Sequence, residues 1–225
     1  MSGQSGTCFR PQVKICGLTR VDQAIDCVRL GADAIGLVFY PPSPRFVSGR
    51  TAREICMNLP AAACSVGVFV NEPAAAILKK VEECGLNAVQ LHGAESTDTV
   101  EELKRAGILV IKTLFMNRTP ALGDCCGYGA SAFLVEGGGG PLPGGNALSW
   151  NWVSVREFLG EAPCILAGGL NAGNVIDAVE QVFPDAVDVS SGVESEPGIK
   201  DMDKVETFLR TVCEAKVKRE PRRIF

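Results

Sequence analysis

One feature constrains this chain more than any other. Short apolar, β-rich segments alternate about eight times with segments whose apolar residues recur at helical spacing, and no hairpin turn signal separates neighbouring strands. Parallel neighbours need a long crossover between them, and a helix supplies it. About eight such units fit a closed parallel barrel of the α/β class, the (β/α)8 TIM barrel, better than an open sheet. An open doubly wound sheet is the alternative built from the same parts. The 225 residues suit one barrel domain over 1–225, with 1–10 as an N-terminal extension and 216–225 as a basic C-terminal tail.

Along the chain, Gln12–Cys16 reads as the first strand, and Thr19 is placed to cap a helix whose apolar positions Ala24, Ile25, Val28 and Leu30 precede a stop at Gly31. Asp33–Tyr40 is the second strand. Prolines then stiffen Pro41-Pro42-Ser43-Pro44-Arg45 before Ser48 opens a helix. Cys64–Val70 is apolar throughout, as expected of a strand covered on both faces, and Pro73 suits the first turn of the next helix. Asn87–Leu91 and Ile108–Leu114 are the fourth and fifth strands, separated by a helix that Ser96 caps and that runs to about Arg105. Helical positions thin out over Asn117–Gly129, so a short or irregular helix precedes the sixth strand, Ala132–Val135. The connection Glu136–Ser149 holds six glycines and two prolines, more turn chemistry than a link needs, which suits a functional lid. A helix near Trp150, a strand over Cys164–Ala167, a helix opened by Asn171, a strand over Ala186–Val189 and a helix from Asp201 to about Ala215 complete the series. Lys216–Arg223 reads as a solvated tail.

A net charge of -4 gives no general attraction for nucleic acid, so an anionic metabolite would have to be held by local loops. The longest nearly apolar window, Leu59–Val70, is well short of the roughly 20 residues a membrane helix needs. No nucleic acid or membrane partner is expected; the expected partner is a small phosphorylated molecule, for which the loops at the strand ends are the reason, bound by a monomer or homodimer. Ten cysteines without Cys-x-x-Cys spacing, behind a start that lacks the apolar run of a signal peptide, point to a reducing cytoplasm and to thiols that fill the core. No metal site is expected.

In a barrel of this class the reacting groups sit at the carboxyl ends of strands, and phosphate commonly binds after the seventh and eighth. Gly168 and Gly169 follow the seventh strand, and Ser190, Ser191 and Gly192 follow the eighth; both loops can present backbone N–H groups to one phosphate. Cys16 closes the first strand as either a core filler or a reactive thiol, with Lys14 leaving the same face; a nearby positive group would lower its pKa. Glu136 closes the sixth strand, where it is either a solvated loop carboxylate or an acid desolvated by the lid. A thiolate base facing a carboxylic acid suits proton transfer between carbon and oxygen in a sugar isomerisation. Arg45, after its stiff loop, is a surface arginine or a clamp for a substrate carboxylate. His92, the single histidine, is a satisfied polar residue or a substrate contact, and Asp188, between two valines, needs a partner or a task.

These residues give the chain its resemblance. Lys14-Ile15-Cys16-Gly17, the run Gly31 to Gly36 with the Tyr40–Arg45 loop, Val68-Phe69-Val70-Asn71, Val89-Gln90-Leu91-His92-Gly93, Ala167-Gly168-Gly169-Leu170, and Val187–Glu194 with Pro197–Asp201 resemble the phosphoribosylanthranilate isomerases of tryptophan biosynthesis. The resemblance implies a barrel that carries out an Amadori rearrangement of N-(5-phosphoribosyl)anthranilate without metal or organic cofactor. It implies Cys16 as general base, Arg45 at the anthranilate carboxylate, Asp188 as an active-site aspartate, and phosphate in the last two loops. Two departures stand out: Glu136 occupies the place of the family's usual aspartate acid, and Gly144–Trp152 lacks a glycine, a lysine and an aspartate of the usual lid. The alternatives are a barrel that binds a phosphorylated ligand without turnover and a histidine-pathway isomerase; the latter would want aspartate where Cys16 stands.

Overall fold

The computed structural model describes residues 9–138, 152, 155 and 162–225. Eight parallel strands close on themselves in chain order: β1 (Gln12–Cys16), β2 (Ala34–Val38), β3 (Cys64–Phe69), β4 (Ala88–Leu91), β5 (Leu109–Phe115), β6 (Ala132–Glu136), β7 (Cys164–Leu166) and β8 (Ala186–Val189). Closure is made by β8 against β1, with Asp188 in register with Lys14, so the open sheet is excluded. The described helices are α1 (Val21–Arg29), α2 (Gly49–Asn58), α3 (Ala74–Cys84), α4 (Thr97–Arg105), the single turn α5 (Cys125–Tyr128), α6 (Val175–Val182) and α7 (Met202–Glu214). Among the described residues no helix is long and apolar enough to cross a membrane.

Side chains alternate across each strand, and the core divides accordingly. Val13, Ile15, Ile35, Leu37, Val89 and Val187 belong to the large apolar layer between sheet and helices. The opposite parity fills the barrel: Ala34, Ala88, Ala132 and Ala186, one from each even-numbered strand, meet Val66, Ile111 and Ile165 from odd-numbered ones. Alternate strands supplying successive layers is how such a barrel packs. Carried two to four residues further along the strands, the same inward parity falls on Cys16, Gln90, His92, Thr113, Glu136 and Asp188. The interior is thus apolar at one end and polar where the strands finish.

Helix starts follow local chemistry where the side chain is free to serve it. Ser48 and Ser96 accept from the N–H of Thr51 (3.1 Å) and Thr99 (3.3 Å), and Asp201 accepts from Asp203 and Lys204, as expected of N-caps. Thr19 does not cap α1: its hydroxyl donates to the Gly198 carbonyl at 2.7 Å, and the helix begins after Arg20. Asn171 does not open α6. Its Oδ1 accepts from the Gly173 N–H at 2.8 Å, making a local turn that delays the helix to Asn174. Pro73 stands one residue before α3, as its cap. The second strand, Ala34–Val38, is shorter than Asp33–Tyr40, and Asp33 at its start places its carboxylate on Arg10 and on the Val13 N–H.

The end of the chain departs from its sequence pattern in two places. An antiparallel hairpin, unforeseen from the sequence, follows the 3-10 turn Ser191–Val193: β9 (Glu194–Glu196) pairs with β10 (Ile199–Lys200). Gly198, at φ 85°, supplies its left-handed turn position. Lys216–Arg223, solvated along most of its side chains as expected, is also anchored. Asp185, with no exposed surface, accepts from Arg219 and Arg222 at 2.8 Å each, and the Ile224 N–H donates to Gln12 Oε1 at 2.7 Å. Ile224 is thereby drawn into the apolar cluster inside the barrel, at the end opposite the polar rim. Most of the Glu136–Ser149 loop and the helix start expected near Trp150 lie outside the described residues.

Candidate active site

Cys16 ends β1 with its side chain directed inward, and the residue in register with it on β2 is Gly36. A Cβ on Gly36 would stand 2.6 Å from Cys16 Sγ, so the neighbouring strand leaves room for the thiol by having no side chain. The next residue, Gly17, turns the chain at φ 80°. A Cβ there would meet Arg45 Cδ at 2.6 Å and Ser190 Oγ at 3.1 Å, so the arginine stem and the first residue after β8 both close on this turn. Cys16, Arg45 and Ser190 thus meet around one glycine.

Beneath the thiol, fully buried Lys14 donates to Asp188 Oδ1 at 2.7 Å. Asp188 therefore has the partner its position demanded. Burial pushes the Cys16 thiol above its ordinary value; Lys14 and Lys200 pull it down and Asp188 pushes it up, and burial prevails. The expected fall in its pKa is corrected, because a site that surrounds the thiol with cations also removes it from water. Burial likewise works against the charged form of Lys14, but Asp188 and Cys16 outweigh it and hold the ammonium on.

Arg45 is not a surface residue. Its guanidinium is buried and pairs side-on with Glu194, Nε to Oε1 at 2.8 Å and Nη2 to Oε2 at 2.7 Å. Lys200 shares the same carboxylate at 2.8 Å and donates to the Ser190 carbonyl at 3.1 Å. Burial would raise the Glu194 pKa, but the hydrogen bond from Arg45 and the charge of Lys200 hold it below the usual carboxylate range.

On another arc of the rim, the ends of β4, β5 and β6 bring together His92 and Glu136, both buried, with His92 Nε2 3.4 Å from Glu136 Oε1. The other ring nitrogen lies 2.7 Å from Gln90 Nε2 and 3.0 Å from Thr113 Oγ1. Polar groups therefore hold the ring on both sides, with Nε2 facing the carboxylate. Glu136 is consequently a held, inward carboxylate and not a solvated loop residue.

The loops after β7 and β8 are in contact. Gly168 and Gly169 take φ values of 87° and 70°, which a side chain would strain. A Cβ on Gly192 would collide with the Leu170 carbonyl oxygen, so the two loops approach as closely as backbone allows. Among the described residues the buried Ser190 hydroxyl has no protein partner.

Four further residues of the site, Gln90, Thr113, Glu194 and Lys200, are not singled out by the sequence. Gln90 and Thr113 carry a signal, polar residues of inward parity in otherwise apolar strands. Glu194 and Lys200 show no such alternation, although both lie in stretches that carry the family resemblance.

Residues 13–211 match a family model described as N-(5'-phosphoribosyl)anthranilate (PRA) isomerase. A protein of Desulfatibacillum aliphaticivorans named N-(5'-phosphoribosyl)anthranilate isomerase is 51% identical over 214 residues, which cover 95% of this chain and 98% of the relative. The crystal structure of phosphoribosyl anthranilate isomerase from Thermotoga maritima is similar at a TM-score of 0.83 and 38% identity, covering 90% of this chain and 98% of that one. Another solved isomerase, at a TM-score of 0.80 and 37% identity with the same coverage, is in complex with reduced 1-(o-carboxyphenylamino)-1-deoxyribulose 5-phosphate.

Proposed function

The chain belongs to the N-(5'-phosphoribosyl)anthranilate isomerase family, and from that membership we propose how its own residues divide the reaction. It is an isomerase of tryptophan biosynthesis, converting N-(5-phosphoribosyl)anthranilate into 1-(2-carboxyphenylamino)-1-deoxyribulose 5-phosphate. Glu136 protonates the furanose ring oxygen, and the C1–O bond opens to a protonated imine. Cys16, as thiolate, removes the proton from C2, and the electron pair moves toward nitrogen to give an enolamine. Tautomerisation returns a proton to C1 and leaves a ketone at C2. No atom is gained or lost.

The observation that supports this division is the convergence of Cys16, Arg45 and Ser190 on Gly17. A base, a carboxylate-binding cation and a phosphate loop then face one substrate from adjacent strand ends, while His92 orients Glu136 from the β4 side. Lys14 and Lys200 favour the thiolate once the proton is to be taken. Gly168, Gly169, Ser191 and Gly192 supply backbone donors for the phosphate, as the usual site after the last two strands of a barrel requires. Glutamate is one methylene longer than the family's aspartate, and here its carboxyl lies 3.4 Å from His92 Nε2. The substrate is the small phosphorylated partner, held by a monomer or homodimer. The nine described cysteines are free thiols, which suits a reducing cytoplasm.

A turnover assay tests the assignment. Cys16→Ala and Glu136→Ala should each lower kcat by about 100- to 10,000-fold, the usual worth of a positioned acid or base. Near-normal turnover in either variant would remove that residue from the mechanism.

A further inference from the structure

Apart from the charge of Lys200, the hairpin after β8 has no part in the reaction as described, yet it is tied to the site at several points. Its turn passes so close to the Arg45 loop that a Cβ on Gly198 would stand 3.0 Å from the Pro44 carbonyl oxygen. The Gly198 carbonyl accepts from Thr19, and Gln23 on α1 holds Lys200 by both backbone groups, at 2.8 and 3.1 Å. Across the hairpin Glu194 and Lys200 are in register, and both side chains are buried. So rigid a mount places one carboxylate between two cations.

That carboxylate occupies a particular edge of the arginine. Glu194 takes Nε and Nη2, the side of the guanidinium fork, while Nη1 has no protein partner among the described residues. A planar guanidinium held side-on can turn neither way, and the end left open, formed by Nη1 and the second hydrogen of Nη2, presents two parallel donors. Two parallel donors match a carboxylate. Charge points the same way: Arg45 and Lys200 against Glu194 leave one excess buried positive charge, which a single substrate carboxylate would balance.

We infer that Glu194 is the positioning residue for recognition of the substrate's ring carboxylate, holding Arg45 so that its open end faces the bound anthranilate group. The inference rests on the isomerase reading above and adds to it the residue that sets selectivity for the carboxylated ring. Lys200 links the same hub to the phosphate loop through the Ser190 carbonyl, so the two ends of the substrate are read by one connected unit.

The test compares two substrates formed from ribose 5-phosphate, one with anthranilate and one with aniline, which lacks the carboxylate. In wild-type protein kcat/KM favours the carboxylated substrate. Glu194→Gln keeps the shape but not the charge, and it should lower that preference by about 10- to 100-fold, chiefly through KM, as expected for a misplaced charged hydrogen bond. Glu194→Asp, which keeps the charge and withdraws it by one methylene, should show the same selective loss at smaller scale and serves if the glutamine variant does not fold. Arg45→Ala should abolish the preference, with no further loss on adding Glu194→Gln. Equal losses on both substrates, or an unchanged preference in both Glu194 variants, would overturn the positioning role while leaving the isomerase reading intact. Absence of wild-type turnover on either substrate would instead overturn that reading and this inference with it.

Discussion

Cys16 shows how a residue's chemistry is set by two opposed effects at one site. Lys14 and Lys200 favour the thiolate, and burial among β1, β2 and the Arg45 stem opposes it more strongly. The consequence for reactivity has a definite sign. A thiol whose pKa lies above the ordinary value is mostly protonated near neutrality, and only its thiolate alkylates. Iodoacetamide labelling of the Cys16 peptide, followed by mass spectrometry across pH, should therefore give a midpoint above that of a free thiol in a short peptide. Lys14→Met should move the midpoint higher still, since it removes a charge that pulls it down. A midpoint at or below the free-thiol value would contradict the dominance of burial. The position of Cys16 at a strand end was readable from Val13-Lys14-Ile15-Cys16-Gly17; the direction of its titration was not, because desolvation depends on Gly36, Arg45 and Ser190, none of which is its neighbour in sequence.

Elements follow the sequence wherever their signals are local. Ser48, Ser96 and Asp201 cap helices because each side chain reaches an N–H two or three residues on, within its own segment. Thr19 does not cap its helix because its hydroxyl is claimed by Gly198, a residue 179 positions away. The hairpin Glu194–Lys200 escaped notice because its two strands are three and two residues long, too short to show alternation. Contact between the last two βα loops is also an element-scale property, and Gly192 tests it. Gly192→Ala would force the loop away from the Leu170 carbonyl and misplace the N–H groups after β8. Titration calorimetry with the reduced product analogue should show Kd rising about tenfold or more, the worth of a lost charge-assisted hydrogen bond. Because the loop is at the rim, the midpoint of thermal unfolding should move little; an unchanged Kd would separate this loop from the phosphate.

At the scale of the whole molecule the barrel has a polar end that reacts and an apolar end that is stoppered. Ile224 enters the interior cluster beneath Ala34, Ala88, Ala132 and Ala186, and the basic tail is clamped there by Asp185. Burial would raise the Asp185 pKa, but hydrogen bonds from Arg222 and Arg219 hold it below the ordinary aspartate value. A carboxylate with a depressed folded-state pKa contributes stability above its unfolded value and loses it as pH falls through the folded one. Asp185→Asn should therefore destabilise the protein at neutral pH, by only about 1 kcal/mol because both arginine partners are more than a third exposed and solvent screens them. The difference between the two denaturation curves should shrink once pH drops below the ordinary aspartate range. Equal stability of wild type and variant at pH 7 would mean that the tail is not anchored through this carboxylate.

By itself the sequence determined the alternation of strand and helix, the places where strands end, and hence the barrel and the rim positions of Cys16, His92, Glu136 and Asp188. These follow from periodicity, glycine and capping residues, which act over a few neighbours. Only the tertiary structure decided which charges meet: Lys14 with Asp188, 174 residues on, and Arg45 with Glu194, 149 residues on. Pairing across such separations depends on closure of the barrel and on what water is excluded when it closes. No local pattern carries that, so the electrostatics of the site belong to the fold.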